Sequence, residues 1–248
     1  MPNPGIDRAA RAPIPQLPYR FTRRDAAAAG FYVLFLLLFS FVPGLGIPLL
    51  AWIPDPLLAG YVVNLAFYLL AGILAAWASW RYVVRETRIL ATRPWLTAAI
   101  VPAAVLATLI LAAIVSVLAG PPPTSVNQEA VQGLVLSLPP LLVIPLLVLL
   151  GPFVEEYVFR HLLIGKLSRI LNIWACCVLS VVLFAGIHVF GTGDASLTVM
   201  MPYLAIGTVL VAVYVWAGNN FVLTYLIHAS RNLLAVIVTY SVPPELLQ

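Results

Sequence analysis

Seven long apolar runs, separated by short polar connections, dominate the sequence. A helix needs about 20 apolar residues to cross the hydrocarbon core of a bilayer. Runs of about that length or longer lie at 26–50, 57–80, 95–119, 131–158, 172–190, 198–217 and 221–240. They are continuously apolar rather than alternating, which favours helices over a barrel. Of the 248 residues, 62% are hydrophobic and 9% charged, against about 25% charged in a soluble domain. The expected fold class is therefore all-α: a polytopic transmembrane helical bundle of about seven spans, within a range of six to eight. Residues 26–248 are expected to form a single transmembrane domain. Residues 1–25, rich in Pro and Arg, have little to bury and are expected to be a mobile cytoplasmic tail. The apolar run behind that tail is too long for a signal peptide, so it is read as an uncleaved first span.

The net charge of +4 reports topology rather than a nucleic-acid partner. Arg8, Arg11, Arg20, Arg23 and Arg24 precede the first span. Arg81, Arg85, Arg88 and Arg93 lie between the second and third, and Arg160, Lys166 and Arg169 between the fourth and fifth. The other connections within the bundle, near 51–56, 120–130 and 191–197, carry no Lys or Arg. The positive-inside rule then puts the N-terminus in the cytoplasm and the C-terminus outside, with Arg231 as the one exception. Trp52, Trp80 and Trp95 fall at span ends, where interfacial aromatics belong. Cys176 and Cys177 are adjacent in an apolar run and read as small packing residues, not as a disulfide framework. The fourth span is irregular: Pro139, Pro140, Pro145 and Gly151-Pro152 interrupt it. Broken helices at membrane depth occur where the backbone is buried in protein or lines a wet cavity.

Ionisable side chains inside spans are rare and usually functional. Here they are Glu155, Glu156 and Arg160, then His188, then His228 and Arg231, with Asn232 beside them. Glu156 and Arg160 are four apart and can pair on a helix, while Glu155 is turned about 100° away. His228 and Asn232 share a face. Each has a plain structural reading: an interfacial ion pair for Glu156–Arg160, a capped histidine at 188, a carbonyl-bonded His228. Arg231 reads as a structural counter-charge and His161 as bystander surface. Taken together, a carboxylate and an imidazole can take a proton from water. A His and an Asn can donate to a developing oxyanion. That equipment adds water to a carbonyl. The same Glu155, His188 and His228 are also a donor set for a divalent metal such as zinc, although H-E-x-x-H and G-x-S-x-G are both absent.

Three segments carry a resemblance: Glu155-Glu156-Tyr157-Val158-Phe159-Arg160, Phe184-Ala-Gly-Ile-His188 and His228-Ala-Ser-Arg-Asn232. In that order they resemble the CPBP family, the type II CAAX prenyl proteases and their bacterial bacteriocin-processing and immunity relatives, over roughly 130–240. The resemblance implies an intramembrane endopeptidase acting on a membrane-tethered protein or peptide. In it, Glu155 activates water with help from His188. His228 and Asn232 hold the oxyanion, and Glu156 with Arg160 supports the site. Whether a metal takes part stays open. An integral protein of a bacterial plasma membrane is expected, with the lipid bilayer as its surroundings. A proton-relaying transporter and a non-catalytic scaffold or immunity protein are the competing classes.

One geometric demand follows from the spans. If the fourth and fifth each cross fully, Glu155 and His188 lie on the order of 25 Å apart in depth. A hairpin of 152–170 against 173–190, bent near Leu171-Asn172, would bring them level.

Overall fold

The computed structural model describes residues 17–42, 52–120, 125–189 and 196–242. Every regular element among them is helical: α1 (Arg23–Phe41), α2 (Pro56–Ala91), α3 (Pro94–Ala119), α4 (Val126–Ser137), α5 (Pro140–Arg169), α6 (Ile173–Ile187), α7 (Leu197–Trp216) and α8 (Phe221–Ser241). Six of them, α1, α2, α3, α5, α7 and α8, are long and apolar enough to cross a membrane. The chain is thus a polytopic, integral membrane helical bundle. Its outer surface exposes large apolar side chains such as Val117, Leu118, Leu141 and Val178, the pattern of a surface facing lipid rather than water.

Several span limits differ from expectation, for local reasons. The run 26–50 is helical to Phe41 in its described part; residues 43–51 lie outside the described residues. The run 57–80 continues to Ala91, and at 36 residues α2 is about 54 Å long. That exceeds a hydrocarbon core of about 30 Å, so its Arg-bearing end projects from it. The run 131–158 is not one helix. Leu138 and Pro139 are extended between α4 and α5, because a residue before proline is pushed out of helical geometry. The fifth run shrinks to α6, whose 15 residues span only about 22 Å.

Helix α5 is continuous but irregular. It widens to π geometry over Pro145–Leu150 and again over Tyr157–Lys166. Pro145 and Pro152 have no N–H to give, and a proline ring crowds the carbonyl four residues back. The wider turn relieves this: the Gly151 N–H donates to the Leu146 carbonyl, five residues back. A side chain at Gly151 would bring a Cβ within 3.2 Å of that same carbonyl oxygen.

The chain then bends at Ile170–Asn172. The Asn172 side chain caps α6 by accepting from the N–H groups of Trp174 and Ala175. So α5 and α6 form the hairpin that the site required. Gly207 of α7 lets α6 approach closely, since a Cβ there would meet the Phe184 ring at 3.2 Å. Helix α8 packs against α2, α3 and α5, which carries its buried face to the middle of the bundle.

Two buried polar networks tie the ends of these helices together. Asp25, fully buried, accepts from Lys166 Nζ at 2.6 and 2.7 Å and from the Tyr157 hydroxyl at 2.8 Å. It also closes a capping box with Thr22. Glu86, equally buried, accepts from the Val222 N–H at the start of α8 and from the Tyr19 hydroxyl. The single Tyr19 hydroxyl hydrogen is shared between Glu86, at 3.3 Å, and the Asn219 carbonyl, at 3.0 Å. Burial, and then the Glu86 carboxylate, push the Tyr19 phenol up, so it stays a donor. Residues 1–16 of the expected tail lie outside the described residues, but the expected boundary at residue 25 falls inside packed structure. His161 is not surface, as its place after the charged motif implied. It is fully buried among the rings of Tyr19, Tyr82, Tyr157 and Phe221.

Candidate active site

The hairpin sets Glu155 and His188 at one level, and α8 adds His228 from a third side. Around the Glu155 Oε2 atom, His188 Nε2 stands at 4.0 Å and His228 Nε2 at 3.8 Å. The other oxygen, Oε1, accepts from the Tyr68 hydroxyl of α2 at 3.1 Å. Side chains from α2, the end of α6 and α8 therefore converge on one carboxylate of α5. It lies on the wall of a cavity of about 380 Å³, which His188, His228, Arg231 and Asn232 also line.

Glu156 faces the protein instead. Its Oε1 meets Arg160 Nη1 at 3.0 Å and His228 Nδ1 at 3.0 Å, all three side chains being buried. The Arg160 guanidinium lies over the Phe184 ring, 4.4 Å from its centre, a favourable place for a delocalised cation. The adjacent carboxylates thus separate as a helix turns: one faces the cavity, the other the packing between α5, α6 and α8.

The histidine orientations follow from their outer partners. His188 Nδ1 is 2.7 Å from the Phe184 carbonyl. A carbonyl only accepts, so Nδ1 carries the hydrogen, and Nε2 of the neutral ring points a lone pair toward Glu155. His228 presents Nδ1 to the Glu156 carboxylate and so also turns Nε2 toward Glu155. Outer partners of this kind fix ring orientation. The His188 ring is further held by stacking on Tyr203, 4.4 Å between centres and 25° between planes. Tyr203 is itself held by Ser125 and Asn127 of the α4 start.

Asn232 lines the cavity and donates one amide hydrogen to the Leu147 carbonyl at 2.9 Å. That carbonyl belongs to the π-widened stretch of α5, so the broken helix orients Asn232. Its second amide hydrogen is left over. Arg231, expected as a counter-charge, has no carboxylate partner among the described residues, and it lines the cavity instead. Among the described residues, no group of three or more His, Cys, Asp or Glu side chains is arranged to hold a metal ion.

Of the chemistry-bearing residues picked from the sequence, Glu155, His188, His228 and Asn232 line the cavity, while Glu156 and Arg160 lie behind it and reach it through His228. Tyr68 and Tyr203 were not anticipated. Asn64, one helical turn before Tyr68 and on the same cavity wall, was an available sign for Tyr68.

Residues 136–234 match the family model described as Type II CAAX prenyl endopeptidase Rce1-like. The matched segment begins before the π-widened stretch and ends just past Asn232, so it contains Glu155, His188, His228, Arg231 and Asn232 of the cavity wall but not Tyr68. No curated protein and no solved structure in the comparisons matches the chain.

Proposed function

We propose, from the CAAX/CPBP protease family to which residues 136–234 point, that this chain is an intramembrane endopeptidase acting through a water activated by Glu155. The observation that carries the proposal is the surroundings of one carboxylate. Glu155 borders a cavity, is oriented by Tyr68, and has two imidazole Nε2 atoms within 4.0 Å.

In this scheme a water at Glu155 gives up a proton to the carboxylate as its oxygen attacks the peptide carbonyl carbon. His188 Nε2 holds that water by accepting its second hydrogen. The tetrahedral oxyanion is received by the free amide hydrogen of Asn232 and by His228 Nε2 when both ring nitrogens carry hydrogen. Glu155 then returns the proton to the departing amine nitrogen as the C–N bond breaks. Glu156 and Arg160 touch none of the reacting atoms and act by holding His228 and the helix. The substrate is a membrane-tethered protein or peptide. The N-terminus is assigned to the cytoplasm of a bacterial plasma membrane, with the cavity in the cytoplasmic half, from the Arg and Lys distribution.

The test is cleavage of membrane-tethered peptides by purified protein beside Glu155→Ala, with and without a chelator. Turnover lost in the variant and kept in chelator supports the scheme. Equal turnover in both proteins removes Glu155 as the base. Loss in chelator, restored by one stoichiometric ion, moves water activation to a metal.

A further inference from the structure

Arg231 is a cation on the wall of the cavity, with nothing among the described residues to neutralise it. Its Nε is buried without a hydrogen-bond partner. Among the described residues, Glu155 is the only carboxylate lining the same cavity, and its ion-pair contacts are with His188 and His228 rather than with Arg231. Asn64, Asn127, Gln128, Gln132 and Tyr203 on that wall bring amide and hydroxyl groups but no carboxylate. The contrast with the rest of the molecule is sharp. The buried cations Arg160 and Lys166 each have a carboxylate at 3.0 Å or closer. A charge at membrane depth is costly to keep, and a guanidinium is shaped for two parallel hydrogen bonds to a carboxylate.

Its position ties it to the reaction. Arg231 is three residues after His228 and one before Asn232 on α8, so it lies on the same stretch of helix face, about 5–6 Å from His228 between Cβ atoms. An extended peptide advances about 3.3–3.6 Å per residue. A carboxylate within the first few residues of the bond held at Glu155 is therefore in reach.

We infer that Arg231 is a substrate-recognising residue that pairs with a carboxylate on the peptide close to the scissile bond. This rests on the protease reading of the cavity. Two sources share that chemistry: a free C-terminal carboxylate, and an Asp or Glu side chain. In either case the anion supplies the missing partner and draws the peptide into register with Glu155.

The test is binding of membrane-tethered peptides to the purified full chain in nanodiscs, with cleavage followed in parallel. One peptide pair differs in a free or amidated C-terminus, and another in Glu or Gln beside the cleavage position. Each is measured on wild type, Arg231→Lys and Arg231→Gln. Removing the relevant carboxylate should weaken binding to wild type roughly tenfold or more. In Arg231→Gln the two members of that pair should bind alike, with Arg231→Lys in between. Whichever pair responds names the source. Wild type that binds both members of both pairs equally overturns the inference without recourse to a variant. So does a carboxylate preference that survives in a folded Arg231→Gln. Carboxylate-dependent binding with no cleavage would leave Arg231 in its role and sink the protease reading. Cleavage indifferent to the carboxylate would do the reverse.

Discussion

The Nδ1 atom of His228 stands 3.0 Å from Oε1 of Glu156. Because Arg160 shares that oxygen, one buried carboxylate both neutralises a cation of α5 and aims an imidazole of α8. Glu156 and Glu155 therefore differ in kind despite being neighbours. In Glu156→Gln the Arg160 charge is left buried without compensation, and stability should fall by about 3–5 kcal/mol. Glu155→Gln keeps both of those contacts and should melt close to wild type while losing turnover by about 100-fold or more. Thermal unfolding in detergent beside a cleavage assay checks both. Equal melting of the two variants would contradict the division.

Tyr68 reaches Glu155 from a helix outside the matched segment. Its hydroxyl donates to Glu155 Oε1 and so orients the carboxylate. Tyr68→Phe should lower kcat roughly five- to tenfold, the worth of one hydrogen bond to a charged group, with KM little changed. An unaltered kcat would remove Tyr68 from the site's supporting structure. A raised KM at constant kcat would make it a substrate contact instead.

Asp25 and Lys166 form a second fully buried ion pair among the described residues, joining the start of α1 to the end of α5. Asp25→Asn should cost about 3–5 kcal/mol, because it strands the ammonium. The double replacement Asp25→Leu with Lys166→Met should be milder than either single change, since no charge is left alone. A double-mutant cycle on melting temperature measures the coupling, and additive losses would show that the pair does not act as a unit.

The candidate site residues were legible because charge is scarce in these spans. Glu155, Glu156, Arg160, His188, His228 and Asn232 stand out against apolar neighbours, and helical spacing is enough to separate the roles of the two glutamates. The hairpin was legible as a requirement, since Glu155 and His188 could not otherwise meet. Other features were hidden for physical reasons. Tyr68 and Tyr203 are amphipathic, and apart from Asn64 nothing local tells a tyrosine that packs from one that donates. Asp25, Glu86 and Lys166 lie near span ends, where charge is ordinarily solvated, and their partners are far away in sequence. Tyr157 precedes His161 by one helical turn and was an available sign of burial. The aromatic cage that completes it comes from Tyr19, Tyr82 and Phe221, which no spacing links.

The bend at Ile170–Asn172 makes the number of residues in each arm a geometric constraint. Glu155 and His188 face each other because they are counted from the same corner, along two arms. Adding one residue to either arm slides its end by about 1.5 Å and swings it by about 100°. Substitutions along 157–187 should be tolerated in proportion to their burial. An insertion or deletion in one arm would move one motif out of step with the other, so in this stretch the letters can change more freely than the count.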